Sequence, residues 1–140
     1  MMVRKKIVIK TEKQFISLNG IIEEFIKDKT GVGMVNVFVA HTTCAIKVME
    51  GEILLLSDVN RYLEETFPVN NGYRHDIISI RDVPIKERVN GHSHMKQMFF
   101  STDANIPVED GKLMLGKWQT VFLVEFDPVR ERDVYITYWE

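Results

Sequence analysis

The sequence predicts an α+β fold, a single compact domain with an antiparallel β-sheet or sandwich and two to three helices. Strand-like and helix-like segments alternate over all 140 residues without a linker, and this length suits one hydrophobic core. Two amphipathic helical segments lie in the first half, whereas short β segments joined by turn dipeptides fill the second half. Helices grouped apart from an antiparallel set of strands are the α+β pattern, with one domain spanning residues 1–140.

The N-terminal part of the chain predicts a strand, a helix and a second strand. Val3 to Thr11 is rich in β-branched residues with charged residues between them, which is typical of an outer strand. The helix begins near Asn19, capped by Ser17 or Asn19 and ended by Gly31, and runs for about three turns. Met34 to Ala40 is almost continuously apolar, which predicts a central strand covered on both faces.

The middle of the chain predicts another strand, a helix and a loop. Ala45 to Met49 continues as a strand, and Glu52 to Glu65 is predicted to be a helix. Leu54 and Leu55 widen the apolar face of this helix. A helix that is apolar over so much of its circumference either sits deep in a core or packs against another subunit. From Asn70 to Arg88 the residues are polar and predict a turn followed by a long surface loop.

The C-terminal part predicts an antiparallel meander. Asp110-Gly111 is a hairpin dipeptide between Ile106–Val108 and Leu113–Leu115. Val121 to Phe126 is the strongest strand signal in the chain, and the turn after it leads to a last strand, Asp133 to Trp139.

Composition excludes several classes of protein. The formal net charge is −2, so no positive field would attract DNA, RNA or an anionic membrane. The N-terminal apolar run is too short for a signal peptide or a membrane span. Cys44 is the only cysteine, which excludes an intrachain disulfide and favours a cytoplasmic location.

All four histidines lie in polar segments. His41 follows an apolar strand, His75 lies in the polar loop, and His92 and His94 fall within the segment from Asn90 to Gln97. A lone histidine is more often structural, but this clustering predicts that at least two share one pocket. A strand would place His92 and His94 on one face, whereas a helix would separate them by roughly 200°. Because Asn90 suits a helix start, His94 is the better site residue.

Several of these segments together resemble the YjbQ family, whose members are often labelled secondary thiamine-phosphate synthase enzymes. The matching residues run in order from His41 to Arg130 and comprise His41-Thr42-Thr43, Glu50, Asp58, His75, Asn90 with His94, Ile106-Pro107-Val108 and Gly116-Lys117-Trp118-Gln119. The resemblance implies a compact α+β homotrimer with polar sites near the subunit contacts. One segment departs from the family pattern, since Ile53 to Leu56 is continuously apolar where the family tends to be polar.

The first function class is an enzyme acting on a phosphorylated small molecule. His94, His41 or His75 would serve as acid, base or phosphate donor, with Asp58 as the carboxylate that orients a histidine and keeps it protonated. Further ligand contacts are expected from Thr42, Thr43, Asn90, Ser93, Lys96 and Gln119. Five of the residues singled out have structural alternatives: Asp58 as a surface carboxylate, Glu50 as a charge near a helix start, Cys44 and Trp118 as core residues, and Gln119 as a partner of buried backbone.

The second function class is a binding module without turnover. The same polar residues would then only hold a phosphorylated ligand or a metal ion. His41, His75 and His94 could form an open site for a divalent metal, Zn²⁺ or Mg²⁺, although the chain lacks the paired aspartates that Mg²⁺ bound to pyrophosphate favours. No Walker-type or dinucleotide-binding glycine motif is present, which argues against a nucleotide-triphosphatase or a Rossmann dehydrogenase.

Overall fold

The structure, a computed structural model, describes every residue from Met1 to Glu140 and contains eight strands and three α-helices. In chain order the elements are β1 (Met2–Thr11), β2 (Phe15–Ser17), α1 (Asn19–Ile26), β3 (Val32–Val39), β4 (Cys44–Glu50), α2 (Ile53–Thr66), α3 (Gly91–Gln97), β5 (Asp103–Glu109), β6 (Lys112–Leu113), β7 (Gln119–Glu125) and β8 (Arg130–Trp139). Two short 3₁₀ turns, Arg74–Asp76 and Ile78–Ile80, lie between α2 and α3. The fold is α+β, as the sequence predicted.

Two antiparallel sheets enclose the main core. The larger sheet has the order β1-β8-β3-β5-β6 and the smaller one β2-β7-β4. Side chains from both sheets meet in one buried cluster, for example Val37 and Ile136 from the larger sheet with Ile46 and Leu123 from the smaller one. The helix α1 adds Ile22 and Ile26 to this cluster, and both are fully buried.

The smaller sheet is covered on both faces. Residues 121 to 126 are all buried, and alternate side chains of β7 point to opposite faces. One face joins the core between the sheets, while Phe122, Val124 and Phe126 form a second cluster against Leu56 and Leu63 of α2. The layer order is therefore larger sheet, smaller sheet and α2.

The meander predicted for the C-terminal part is wrong. The strands β7 and β8 follow one another in the chain but belong to different sheets, because β7 pairs with β2 and β4 whereas β8 pairs with β1 and β3. Residues 126–129 carry the chain from one sheet to the other. The hairpin at Asp110-Gly111 is confirmed, since both residues have the positive φ angles, 47° and 72°, that a tight two-residue turn requires.

Three further predictions need correction. The strand β3 is central, as expected, but only Val35, Val37 and Val39 are buried while Phe38 faces outward, so one face alone is covered. The helix α1 has eight residues, about two turns. No side chain caps α1, because Asn19 Oδ1 accepts a hydrogen bond from Val121 N–H instead.

The helix α2 does not sit deep in the core. None of its residues is buried, and Ile53 and Leu54 are 79% and 71% exposed. Trp118 was expected in the core but is 65% exposed. Cys44 is fully buried, as expected of a small apolar residue, and burial raises the pKa of its thiol to about 12. No helix is both long and apolar enough to span a bilayer.

Candidate functional site

A polar cavity of about 390 Å³ lies where the start of β8, the loop after β3, the segment between α2 and α3, and α3 itself come together. The side chains and backbone that line it belong to Ala40, His41, Thr42, Thr43, His75, Arg81, Glu87, Asn90, His94, Arg130 and Arg132. We call it the polar pocket. Three of the four histidines, His41, His75 and His94, therefore meet in one cavity, although 53 positions separate the first from the last in the sequence.

Three arginines, Arg81, Arg130 and Arg132, line the polar pocket, and we did not predict them as site residues. Because β8 begins at Arg130, Arg130 and Arg132 are two positions apart on one strand and point to the same face. A strand prediction that started at Asp133 left both in a turn and hid this signal. Alternation of Arg130, Glu131 and Arg132 at the strand start is the pattern that would have found them.

Arg132 is fixed by a buried ion pair. Its Nη2 donates to Glu125 Oε2 at 2.6 Å and to Thr43 Oγ1 at 2.7 Å, and its Nε donates to Glu125 Oε1 at 3.0 Å. Thr11 Oγ1 donates to the same carboxylate at 2.6 Å. These bonds occupy Nε and Nη2 and leave Nη1 of Arg132 without a protein partner at the polar pocket. A buried charge held in this way is a preorganised site for an anion.

Asp127 positions a second arginine and Asn90. It accepts hydrogen bonds from Arg130 Nη2 at 2.7 Å, from Asn90 Nδ2 at 2.8 Å and from Arg88 Nη1 at 3.1 Å. Burial acts to raise the pKa of Asp127, but the hydrogen bonds from Asn90, Arg130 and Arg88 outweigh it and hold the pKa below its ordinary value. The carboxylate therefore stays charged at neutral pH and keeps Arg130 and Asn90 in place.

His41 is held in one tautomer. Its Nε2 accepts a hydrogen bond from Asp133 N–H at 2.9 Å, so the ring proton lies on Nδ1. Partial burial, and then the nearby Arg132 charge, lower the pKa of His41. At neutral pH His41 is consequently a neutral hydrogen-bond donor.

His75 and His94 form a pair in the polar pocket. Their ring centroids are 4.4 Å apart with an interplanar angle of 65°. Burial, and then the neighbouring His75, lower the pKa of His94. The segment carrying His75 is attached to α3 because Gly91 N–H donates to Asp76 Oδ1 at 2.8 Å. A Cβ at Gly91 would lie 2.7 Å from Tyr73 Cβ, so only glycine permits this approach.

Four predicted site residues lie outside the polar pocket. Asp58 is an exposed residue of α2, 3.7 Å from Arg61, and reaches no histidine. Ser93 is buried and donates to Phe126 O, and Lys96 is buried with its Nζ bonded to Glu64. Gln119 is exposed and accepts from Gly116 N–H through its own side chain. None of these four side chains therefore lines the polar pocket.

The helical course of α3 separates His92 from His94. His92 Nδ1 lies 3.2 Å from Lys96 Nζ, one turn along the helix, while His94 lines the polar pocket. Burial, and then Lys96, lower the pKa of His92. The helical alternative for this segment is therefore the observed one.

The three-histidine metal site does not form. No group of three His, Cys, Asp or Glu side chains in the chain has the spacing needed to hold a metal ion. The donor chemistry agrees, because the bond from Asp133 N–H occupies Nε2 of His41 and leaves its proton on Nδ1. The polar pocket offers cationic guanidinium groups, which repel a divalent cation and attract an anion.

A second cavity, of about 560 Å³, is apolar and runs along α2. We call it the α2 groove; its lining is Leu55, Asp58, Val59, Tyr62, Leu63, Thr66, Phe67, Phe99 and Phe100. Phe67 and Phe99 are packed with ring centroids 5.5 Å apart, yet Phe99 remains 68% exposed. Asp58 is the only charged residue in this lining.

Comparison with known proteins gives the same family in sequence and in structure. Residues 5–140 match the family model described as UPF0047 protein YjbQ-like. A UPF0047 protein of Archaeoglobus fulgidus is 32% identical over 133 residues, which are 94% of this chain and 97% of that protein. A solved structure from Sulfolobus solfataricus, described as a YbjQ-like protein of unknown function, superposes with a TM-score of 0.85 at 27% identity, covering 99% of this chain and 96% of the other.

A hypothetical protein of Aeropyrum pernix is also similar in structure, with a TM-score of 0.83, 31% identity and 98% of each chain covered. The family model covers nearly the whole chain, and the structural matches extend over the same residues. This protein is a member of the YjbQ family, UPF0047.

Proposed function

We propose that this protein is an enzyme that binds a phosphorylated small molecule in the polar pocket and acts on it there. The observation that carries the proposal is the set of three arginines around one cavity that also contains His41, His75 and His94. Guanidinium groups match the geometry of phosphate oxygens. The histidines add a neutral donor and groups able to transfer protons.

The free donors of the arginines support phosphate binding. Arg132 Nη1 has no partner in the protein, and neither has Arg130 Nη1, because Asp127 takes the other two nitrogens of Arg130. Arg81 uses Nη1 to bind His75 O at 2.9 Å and keeps Nη2 free. Each arginine is thus anchored through some nitrogens and presents another to a ligand.

The reaction we propose is the thiamine-phosphate synthesis attributed to some members of the family. It joins an aminopyrimidine pyrophosphate to a thiazole phosphate and releases pyrophosphate. Arginines would stabilise the negative charge that develops on the leaving pyrophosphate, and positioning of both rings would supply much of the rate. No residue takes the orienting role first given to Asp58, which lies outside the polar pocket.

His94 is the proton donor in this scheme. Its pKa is lowered in the empty pocket by burial and by His75, and a bound phosphate would raise that pKa because an anion favours the cationic ring. The protonated ring could then donate to the leaving phosphate. Binding of substrate thereby creates the acid that the reaction needs.

The test is synthase turnover in wild type, in His94→Ala and in Asp58→Asn. We expect His94→Ala to lower turnover at least about tenfold, which is a barrier change of about 1.4 kcal/mol. Asp58→Asn is the matched control and should keep parental turnover, since Asp58 is exposed on α2. Absence of turnover in wild type, or full turnover in His94→Ala, would leave a binding module without catalysis as the better proposal.

We propose, further, that the chain assembles as a homotrimer in the cytoplasm. The support is the exposed apolar surface of α2 and the α2 groove, where Ile53, Leu54 and Phe99 are each more than half exposed. Large apolar patches on small domains are commonly subunit contacts. The single cysteine, Cys44, is free and buried, which suits a reducing compartment.

A further inference from the structure

We infer that the ligand of the polar pocket is bipolar, a phosphate-bearing molecule that also carries a positively charged nitrogen group, and that Glu87 binds this group. The inference rests on the proposed function, because it assumes that the arginines hold a phosphate. Beyond the proposed function, the inference states that the ligand has a cationic group and that Glu87 recognises this group.

Glu87 is the only acidic residue among those that line the polar pocket. It forms no ion pair with the arginines beside it, since Arg130 is paired with Asp127 and Arg132 with Glu125. Its Oε1 accepts a hydrogen bond from Arg88 N–H at 3.2 Å, and its Oε2 has no partner in the protein. A carboxylate oxygen is therefore available to a ligand in a pocket that otherwise offers cations.

The backbone around Glu87 is fixed. Glu87 N–H donates to Pro84 O at 2.9 Å. The next residue, Arg88, donates from Nη1 to Asp127 Oδ1 at 3.1 Å and from Nη2 to Val129 O at 2.9 Å. Since Asp127 also holds Arg130, Arg130 and Arg88, the residue next to Glu87, are bonded to the same carboxylate.

This arrangement selects by charge. A ligand that is anionic throughout would be repelled by Glu87, whereas a ligand with a cationic end would gain an ion pair there. A group that attracts the right ligand and repels the wrong one increases specificity even when its contribution to affinity is small. We therefore assign the phosphate to the arginines and the cationic end to Glu87.

The experiment compares two probes that differ by one ammonium group, O-phosphoethanolamine and ethyl phosphate, in calorimetric titrations. Wild type should bind O-phosphoethanolamine about two- to fivefold more tightly than ethyl phosphate, as expected of a partly exposed ion pair. Glu87→Gln should abolish this preference and leave the affinity for ethyl phosphate equal or higher. Asp82→Asn is the control, because Asp82 is an exposed carboxylate of the same segment outside the polar pocket.

Each other outcome overturns the inference. If wild type binds the two probes equally, or if Glu87→Gln keeps the preference, Glu87 does not select the cationic end. If Glu87→Gln lowers the affinity for both probes to the same degree, Glu87 contributes to phosphate binding or to the shape of the cavity and does not select the cationic end. If wild type binds neither probe, phosphate recognition itself fails, and that result, unlike the others, also removes the proposed function.

Discussion

The polar pocket and the α2 groove are both cavities of this small domain, but they are constructed in different ways. The polar pocket takes its charged side chains from segments far apart in the chain and supports them with buried bonds, such as those from Arg132 to Glu125 and Thr43. The α2 groove is lined mainly by neighbours on one helix and by Phe99 and Phe100, with much of its apolar surface exposed.

The difference separates the requirements of folding from those of assembly. Removal of the Arg132 side chain from the polar pocket leaves the buried Glu125 without its cation, which destabilises the folded chain. Replacement of an exposed apolar side chain beside the α2 groove removes little from the core, so its effect should appear only where another molecule covers the surface. Three predictions test this contrast.

The largest expected effect is on stability, in Arg132→Met. Arg132 and Glu125 are 3% and 0% exposed, so this change leaves a buried carboxylate without its cation, which costs about 3–5 kcal/mol of unfolding free energy. Urea denaturation would measure the loss. The matched control is Arg61→Met on α2, where the pairs with Asp58 and Glu65 are exposed and no measurable change in the urea midpoint is expected. Equal midpoints for the two variants would contradict the contrast between the regions.

The second prediction concerns assembly, in Leu54→Glu. Leu54 is 71% exposed, so a charge there should leave the folded chain intact while it opposes burial between subunits. Light scattering should change from three times the chain mass of 16.3 kDa to one chain mass. Val8→Glu, at a 57% exposed position on the edge strand β1, is the control and should remain trimeric. A wild-type mass of one chain, or a trimeric Leu54→Glu, would refute an interface at α2.

The smallest effect is on the pH dependence of anion binding. The lowered pKa of His94 makes its ring neutral in the empty polar pocket at pH 7, and an anion favours the protonated ring. Affinity for sulfate, which does not titrate in this range, should therefore rise as pH falls from 7 to 5.5, by at most about tenfold per pH unit for one coupled proton. Asp127 stays ionised throughout because its own pKa is lowered.

The control for this pH dependence is His94→Gln, which should flatten it without abolishing binding, because the arginines keep their charge. His92→Gln should leave the slope unchanged, since His92 lies beside Lys96 outside the polar pocket. An affinity in wild type that stays constant over this range would show that His94 takes up no proton when the anion binds.

Local sequence patterns predicted where strands and helices lie better than they predicted which strands pair with one another. The apolar run of β3 correctly indicated a central strand, and Asp110-Gly111 correctly indicated a hairpin. The same patterns could not show that β7 and β8 belong to different sheets, because pairing is decided by the faces that meet in the core. The broad apolar face of α2 likewise did not show whether that face is buried or exposed.

The part of the site that could be predicted consists of residues whose polar segments suggested a shared pocket. His41, His75, Asn90 and His94 lie in polar segments and do meet in one cavity. Ser93 and Lys96 share the same segment, but the helical turn of α3 directs them to Phe126 and Glu64 instead. Arg130 and Arg132 escaped prediction because arginines are common on protein surfaces, and only their pairs with the half-buried Asp127 and the buried Glu125 fix their positions.

The central claim, that anions bind in the polar pocket and not in the α2 groove, is tested most directly by amide NMR during a titration with inorganic phosphate. The resonances of Thr42, Thr43 and His94 should shift and saturate together, while those of Leu54 and Tyr62 on α2 stay in place. Saturable shifts on α2 with none at Thr43 and His94, or no saturable shift anywhere, would contradict the claim.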